Sequence, residues 1–146
     1  MNWGVLSRFR RYVEASEGEI SVEGGASRHG DEFVFPIEHT VTDGAVLGFS
    51  GSVHFRAHGG LLDLAIRNPR ISWQVGEMGM VDVAARGMTR TDFAIVTRVE
   101  HVDSHSMTVR TKLTLEGVHL LGNVYPKDLE LDPIRILSGN PPAEIR

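Results

Sequence analysis

The sequence contains no cysteine among its 146 residues. Disulfide bonds, zinc–thiolate sites, iron–sulfur clusters and cysteine nucleophiles are therefore excluded. Lysine is scarce as well, because Lys112 and Lys127 are the only two and arginine supplies the remaining positive charge. The formal net charge is −4 and no long basic run occurs, so we expect no nucleic acid among its partners.

Long apolar runs are also missing. No stretch approaches the roughly 20 apolar residues that a membrane helix needs. The beginning of the sequence, "MNWGVLSRFRRYV", lacks the apolar core of a signal peptide. We therefore expect no membrane insertion and a cytoplasmic location. The expected location becomes the cell surface or the exterior if this sequence is one domain of a longer chain.

The pattern of apolar residues predicts one helix and many short strands. Helical spacing at the N-terminus produces a single apolar stripe that Gly18 follows, and its members are Val5, Leu6, Phe9, Tyr12 and Val13. The period then changes to two, with frequent turn signals, which is typical of an antiparallel sandwich. We predict a mainly β, antiparallel, two-sheet sandwich-like domain with a short N-terminal α-helix over residues 1–137, and a frayed tail over residues 138–146.

Turn signals divide the strands. "TDGA" at 42–45 and "RNPR" at 67–70 are expected to reverse the chain, and Gly59 and Gly60 interrupt a long hairpin. The polar segment "HVDSH" separates two strands rich in β-branched residues, and "GVHLLGN" is expected to form a single helical turn.

Two histidines of the hairpin have the spacing of a helical metal site, but they lie in a predicted strand. His54 and His58 are four residues apart, which corresponds to about 13 Å along a strand. Two imidazoles so far apart cannot bind one metal ion.

A second group, His101 and His105 with Glu100 and Asp103, flanks a predicted turn. A metal site there is one interpretation, and a solvated hairpin tip is the commoner one. The sequence contains no nucleophile elbow, phosphate loop, HExxH or dinucleotide motif. We therefore expect no enzymatic activity.

Three further residues have ordinary structural interpretations. Tyr12 lies on the apolar stripe, Tyr125 precedes Pro126 in a turn, and His58 precedes two glycines at which it could satisfy a backbone carbonyl. From the residues alone, none of the three indicates a function.

Three blocks of the sequence resemble a known family. The blocks are "WGVLSRFRRYV", "FSGSVHFRAHGGLLDLAIRNPRI", and "KLTLEG" followed by "YPKDLELDPIRI". In order and spacing they are similar to the motifs of the HtaA domain family, the haem-binding domains of actinobacterial haem-uptake proteins. The middle block is the most specific, although Ala57 stands where the family often has glycine. Family members are typically exported or anchored at the surface, whereas this sequence shows no export signal.

The resemblance implies a haem site made of Tyr12, His58 and Tyr125. In that family a tyrosine of the N-terminal helix binds the haem iron, so the resemblance implies that Tyr12 is the axial ligand. A phenolate is a hard anion that favours Fe(III), which suits ferric haem b. His58, rather than His54, occupies the family position directly before glycine, and it would donate a hydrogen bond to the phenolate. Gly59 and Gly60 would allow close backbone approach at the wall of the pocket.

The implied function is haem binding for intracellular transfer, buffering or delivery. The alternatives are a haem-dependent or haem-processing enzyme, and a haem-free interaction module that kept the fold. The expected partners are haem and haem donor or acceptor proteins, with a homodimer left open. Arg11 and Arg56 are both candidates for binding the haem propionates, and the sequence does not choose between them.

Overall fold

The computed structural model describes residues 1–41, 46–73, 79–86 and 89–137. The described helices are α1 (Ser7–Ala15) and α2 (Leu115–Leu120), and a 3₁₀ turn spans His58–Gly60. The strands are β1 (Asn2–Trp3), β2 (Glu19–Glu23), β3 (Ser27–His29), β4 (Glu32–Val34), β5 (Ile37–Val41), β6 (Val46–Phe49), β7 (Ser52–Ala57), β8 (Leu62–Ser72), β9 (Met80–Arg86), β10 (Thr89–Asp103), β11 (Ser106–Leu113) and β12 (Ile134–Leu137). The turn predicted at 42–45 and the tail at 138–146 lie outside the described residues.

Antiparallel pairing joins these strands into one sheet. The hydrogen-bonded order is β2-β7-β8-β9-β10-β11-β12-β1-β4-β3, and β6 pairs with both β5 and β8. The predicted mainly β, antiparallel fold with a short N-terminal helix is confirmed. The strands form a single, nearly closed sheet around the core. The two sheets predicted from the sequence are therefore continuous with each other through hydrogen bonds between strands. None of the described helices has the length and apolarity required to cross a bilayer.

Large aromatic side chains fill the space inside the sheet. The fully buried members are Trp3, Phe9, Phe33, Phe35, Phe49, Phe55 and Phe93. Helix α1 contributes to this core through Phe9, whose ring lies 5.0 Å from that of Phe55 in β7. A buried aromatic side chain removes about 150–250 Å² from water, so this pair fixes the helix against the strand.

Helix α1 ends where the sequence predicts a stop. The backbone N–H of Gly18 donates to the carbonyl oxygen of Val13 at 2.8 Å. A Cβ atom at position 18 would lie 2.4 Å from the carbonyl oxygen of Arg56, so only glycine fits this close passage. The predicted helical turn in "GVHLLGN" is present as part of α2, which Thr114 caps by accepting from the N–H of Gly117 at 2.9 Å.

The turn predicted at residues 67–70 is wrong, because β8 continues through this segment. The chain forms a bulge instead, with a register shift between Arg67 and Arg70 and a left-handed φ of 46° at Asn68. Gly51 and Asn68 hold the bulge through two hydrogen bonds. The N–H of Asn68 donates to the Gly51 carbonyl at 2.8 Å, and the N–H of Gly51 donates to Asn68 Oδ1 at 3.1 Å.

Candidate functional site

Tyr12 and His58 are in direct contact. The Tyr12 hydroxyl oxygen lies 2.6 Å from His58 Nε2, which is hydrogen-bonding distance, although 46 residues separate the two in sequence. Tyr12 projects from the last part of α1, and 45% of its surface remains exposed. The contact expected between these side chains is therefore present, and the Tyr12 side chain remains partly exposed at the surface of the domain.

A tight reversal of the chain presents His58 to Tyr12. His58, Gly59 and Gly60 follow β7 with left-handed φ angles of 56°, 65° and 99°. Histidine adopts this region more often than most residues, and glycine does so without steric cost. A Cβ atom on either glycine would meet no described atom within 4 Å. Within the protein, the left-handed conformation accounts for both glycines, and the close approach expected at the wall of the pocket stays a prediction.

Asp132 holds the beginning of the helix that carries Tyr12. Its carboxylate accepts from the backbone N–H of Ser7 at 2.9 Å, which caps α1, and from Arg10 at 2.6 Å. Arg10 also donates to the carbonyl of Gly4 at 2.6 Å. The sequence does not predict this role, for which the only signal is an aspartate directly before Pro133 in the closing block.

An open, mainly apolar cleft adjoins the Tyr12–His58 pair. Its volume is about 370 Å³, and its lining consists of Phe9, Tyr12, His58, Leu61, Leu62, Leu121, Gly122, Val124 and Tyr125. Leu61 and Val124 are 92% and 73% exposed. Ligand pockets commonly measure about 300–1,000 Å³ and combine apolar walls with a few polar groups. The cleft therefore has the size and chemistry of a site for a largely apolar ligand.

Tyr125 faces the same cleft from the segment after α2. Its ring lies edge-on to Phe9 at 6.4 Å, and the guanidinium of Arg8 lies over it, 5.6 Å from the ring centroid. Burial raises the pKa of Tyr125; the charge of Arg8 opposes this and Tyr12 adds to it. Tyr125 therefore favours its neutral form, which can donate a hydrogen bond.

The structure thus brings Tyr12, His58 and Tyr125 to one cleft and leaves His54 outside it. His54 projects from β7 and hydrogen-bonds Asp63 on the neighbouring strand. Neither candidate arginine lines the cleft. Arg11 donates to Ser7 Oγ at 3.1 Å, and Arg56 lines an adjoining pocket that shares His58 with the cleft.

The second histidine group forms an ordinary hairpin tip. The backbone N–H of His105 donates to Asp103 Oδ1 at 2.7 Å, and Ser106 Oγ donates to the same oxygen at 3.1 Å. Across residues 1–41, 46–73, 79–86 and 89–137, no three histidine, aspartate or glutamate side chains converge to bind a metal ion. The geometry therefore favours the hairpin-tip interpretation over a metal site at His101 and His105.

A known protein family matches the part of the chain that contains all of these site residues. The family model of HtaA matches residues 1–137, which include the helix, the His58 turn and the segment with Tyr125 and Asp132. The chain belongs to the HtaA family. A comparison with curated protein sequences gives no match.

Solved structures of HtaA-family proteins from Corynebacterium glutamicum share this fold. The N-terminal domain of HtaA is 26% identical, with a TM-score of 0.76 over 95% of this chain and 96% of that one. The heme binding protein HtaB is 23% identical, with a TM-score of 0.73 over 93% of this chain and 89% of that one. The C-terminal domain of HtaA is 23% identical, with a TM-score of 0.71 over 92% and 91%, and a variant of it forms a domain-swapped dimer.

Proposed function

We propose that this protein binds ferric haem b in the cleft between α1 and the His58 turn, with Tyr12 as the axial ligand of the iron. One observation carries the proposal. A partly exposed phenol is hydrogen-bonded to an imidazole at 2.6 Å beside an apolar cleft, in a domain of the HtaA family. HtaB, which has this fold, is a heme binding protein.

The residues of the cleft fit haem by their chemistry. The apolar walls suit the porphyrin, and the phenol supplies a hard oxygen ligand, which is an established way of holding haem iron. Tyr12 would hold the iron through its phenol oxygen as a phenolate, a form that a bound metal ion favours. His58 would donate an N–H to that oxygen, which would orient the ring and withdraw electron density from the oxygen.

Tyr12 is a better candidate for the ligand than Tyr125. Burial raises the pKa of Tyr125, which opposes its conversion to phenolate. No histidine partner is found for Tyr125 in the part of the chain that the structure describes, whereas Tyr12 has His58. Tyr125 acts in this proposal as a neutral hydroxyl and an aromatic wall.

The proposed role is haem transfer, buffering or delivery inside the cell. A phenolate ligand weakened by a hydrogen bond suits a carrier that must release its haem. Such a role requires haem donor or acceptor proteins, and these partners, the cytoplasmic location and a homodimer all stay predictions. The enzymatic alternative differs in its products, because a haem-processing enzyme supplied with reductant would convert haem to verdohaem or biliverdin.

Haemin titration tests the proposal. The wild-type protein should develop a Soret band with the charge-transfer absorption of tyrosinate-bound Fe(III). Tyr12→Phe removes the ligand oxygen and keeps the ring, so its affinity should fall by at least tenfold while circular dichroism shows a preserved fold. Tyr125→Phe is the matched control and should keep the charge-transfer absorption. Unchanged affinity in folded Tyr12→Phe would contradict the assignment, and no uptake by the wild type would favour an interaction module.

A further inference from the structure

Arg8 lies on the same face of α1 as Tyr12. The two residues are four apart, so their side chains are neighbours one turn apart on the helix surface. The Arg8 side chain extends towards Tyr125, where its guanidinium carbon lies 5.6 Å from the ring centroid. One cation therefore stands beside the cleft, close to both tyrosines.

The neighbouring arginines of the helix have other partners. Arg10 is buried and pairs with Asp132, and Arg11 donates to Ser7 Oγ. Within the described part of the chain, Arg8 is exposed and forms no salt bridge, and its contact is with the Tyr125 ring. Its N–H donors are consequently available to an anion.

The Tyr125 ring restricts where this cation can be. Attraction between a guanidinium and the face of an aromatic ring holds a long side chain that would otherwise move freely. The same guanidinium lowers the pKa of Tyr125 against the larger effect of burial. Arg8 is therefore held at the cleft in advance of ligand binding.

We infer that Arg8 binds a carboxylate of the ligand and selects haem with free propionates over uncharged porphyrins. The inference rests on the proposed function. Haem is an apolar plate with two carboxylates on one edge, which corresponds to an apolar cleft with a cation beside it. Arginine is suited to this role because its planar donors bind both oxygens of a carboxylate. We prefer Arg8 to Arg11 and Arg56 because its guanidinium contacts Tyr125, a residue of the cleft, whereas Arg11 donates to Ser7 Oγ and Arg56 lines the adjoining pocket.

Two ligands and two variants test the inference. Haemin and haemin dimethyl ester, in which both carboxylates are esterified, are titrated into the wild type, Arg8→Gln and the matched control Arg11→Gln. Arg8→Gln should weaken haemin binding by about tenfold to a hundredfold, the loss of one charge-assisted contact. It should leave the affinity for the dimethyl ester within about twofold of wild type. Arg11→Gln should change neither affinity.

The outcomes separate the inference from the proposed function. Equal losses for both ligands would overturn the inference, because Arg8 would then act through the shape of the cleft. Unchanged haemin affinity in Arg8→Gln would overturn it as well, while leaving haem binding by Tyr12 intact. Failure of the wild type to bind either ligand would overturn both proposals. Arg8 is exposed, so its replacement should not disturb the fold. Circular dichroism of the variant shows whether a loss of haemin affinity comes from misfolding.

Discussion

Arg10 and Asp132 form an ion pair at 2.6 Å that joins the two ends of the described chain. Arg10 is in α1, and its side chain is only 7% exposed. Asp132 lies shortly before β12 and also accepts from the N–H of Ser7. The closing segment therefore determines where the helix begins, and through the helix it determines the position of Tyr12.

Asp132→Asn should destabilise the protein by roughly 2–4 kcal/mol, because it leaves a buried guanidinium without its counter-charge. The lower part of this range is expected, since the Asp132 side chain is 23% exposed. Urea denaturation followed by circular dichroism measures the effect. The matched control is Asp128→Asn, which removes the exposed partner of Lys112 and Lys127 and should cost less than about 1 kcal/mol. Equal costs would show that the Arg10–Asp132 pair does not hold the helix.

His58→Ala should leave haem bound, alter its spectrum and speed its loss to an acceptor. The physical reason is that the variant removes the hydrogen-bond partner of the Tyr12 oxygen. His54→Ala is the natural control, because His54 pairs with Asp63 outside the cleft and should change little. Haem dissociation rates and absorption spectra of both variants decide the matter. If His54→Ala is the damaging change, the assignment of His58 is wrong.

Much of this site could be predicted from local patterns and motif resemblance. Helical spacing places Tyr12 on α1, and alternation places His54 and Phe55 on opposite faces of β7. The glycines after His58 indicate a reversal, which the structure contains. These features depend on residues that are close together in the sequence, so they can be predicted from one sequence alone.

Other features depend on contacts between distant segments and could not be predicted. Asp132 caps a helix that begins 125 residues earlier, and no local pattern identifies its partner. The sequence does not distinguish Arg8 from the other arginines, because only the fold brings the Tyr125 ring to its side chain. The segment "RNPR" has the composition of a turn, so the sequence predicts one where the structure has a bulge. The bulge depends on the hydrogen bonds between Asn68 and Gly51, which lies in another segment.

An ion pair across β1 should make stability depend on pH. Arg135 in β12 donates to Glu32 in β4 at 2.9 Å, and this hydrogen bond holds the pKa of the Glu32 carboxyl below its usual value. A carboxyl with a lowered folded pKa contributes stability above its unfolded pKa, and this contribution disappears as pH falls through the folded value. The Arg135 side chain is 51% exposed and that of Glu32 27%, so solvent screens the pair and its contribution should be about 0.2–1 kcal/mol.

Urea denaturation of wild type and Glu32→Gln at pH 7 and near pH 3 tests this dependence. The wild type should exceed the variant in stability at pH 7, and the difference should shrink near pH 3 because the wild-type carboxyl becomes protonated. High salt should also shrink the difference at pH 7, since salt screens exposed charges. A difference that stays constant with pH would mean that packing, and not charge, accounts for the effect.

Reduction should release haem, because phenolate stabilises Fe(III) more than Fe(II) and the reduced iron bonds it weakly. Acid should act in the same direction, since protons compete with iron for the Tyr12 oxygen. Stopped-flow mixing with an apo-globin acceptor measures both effects. Transfer from the dithionite-reduced protein should exceed that from the ferric protein, and transfer at pH 5 should exceed that at pH 7. Tyr12→Phe is the control, because without the phenol oxygen its release should depend little on the oxidation state. If the ferrous protein retains haem as tightly as the ferric one, a histidine is the ligand and release by weakening of an Fe–phenolate bond is ruled out.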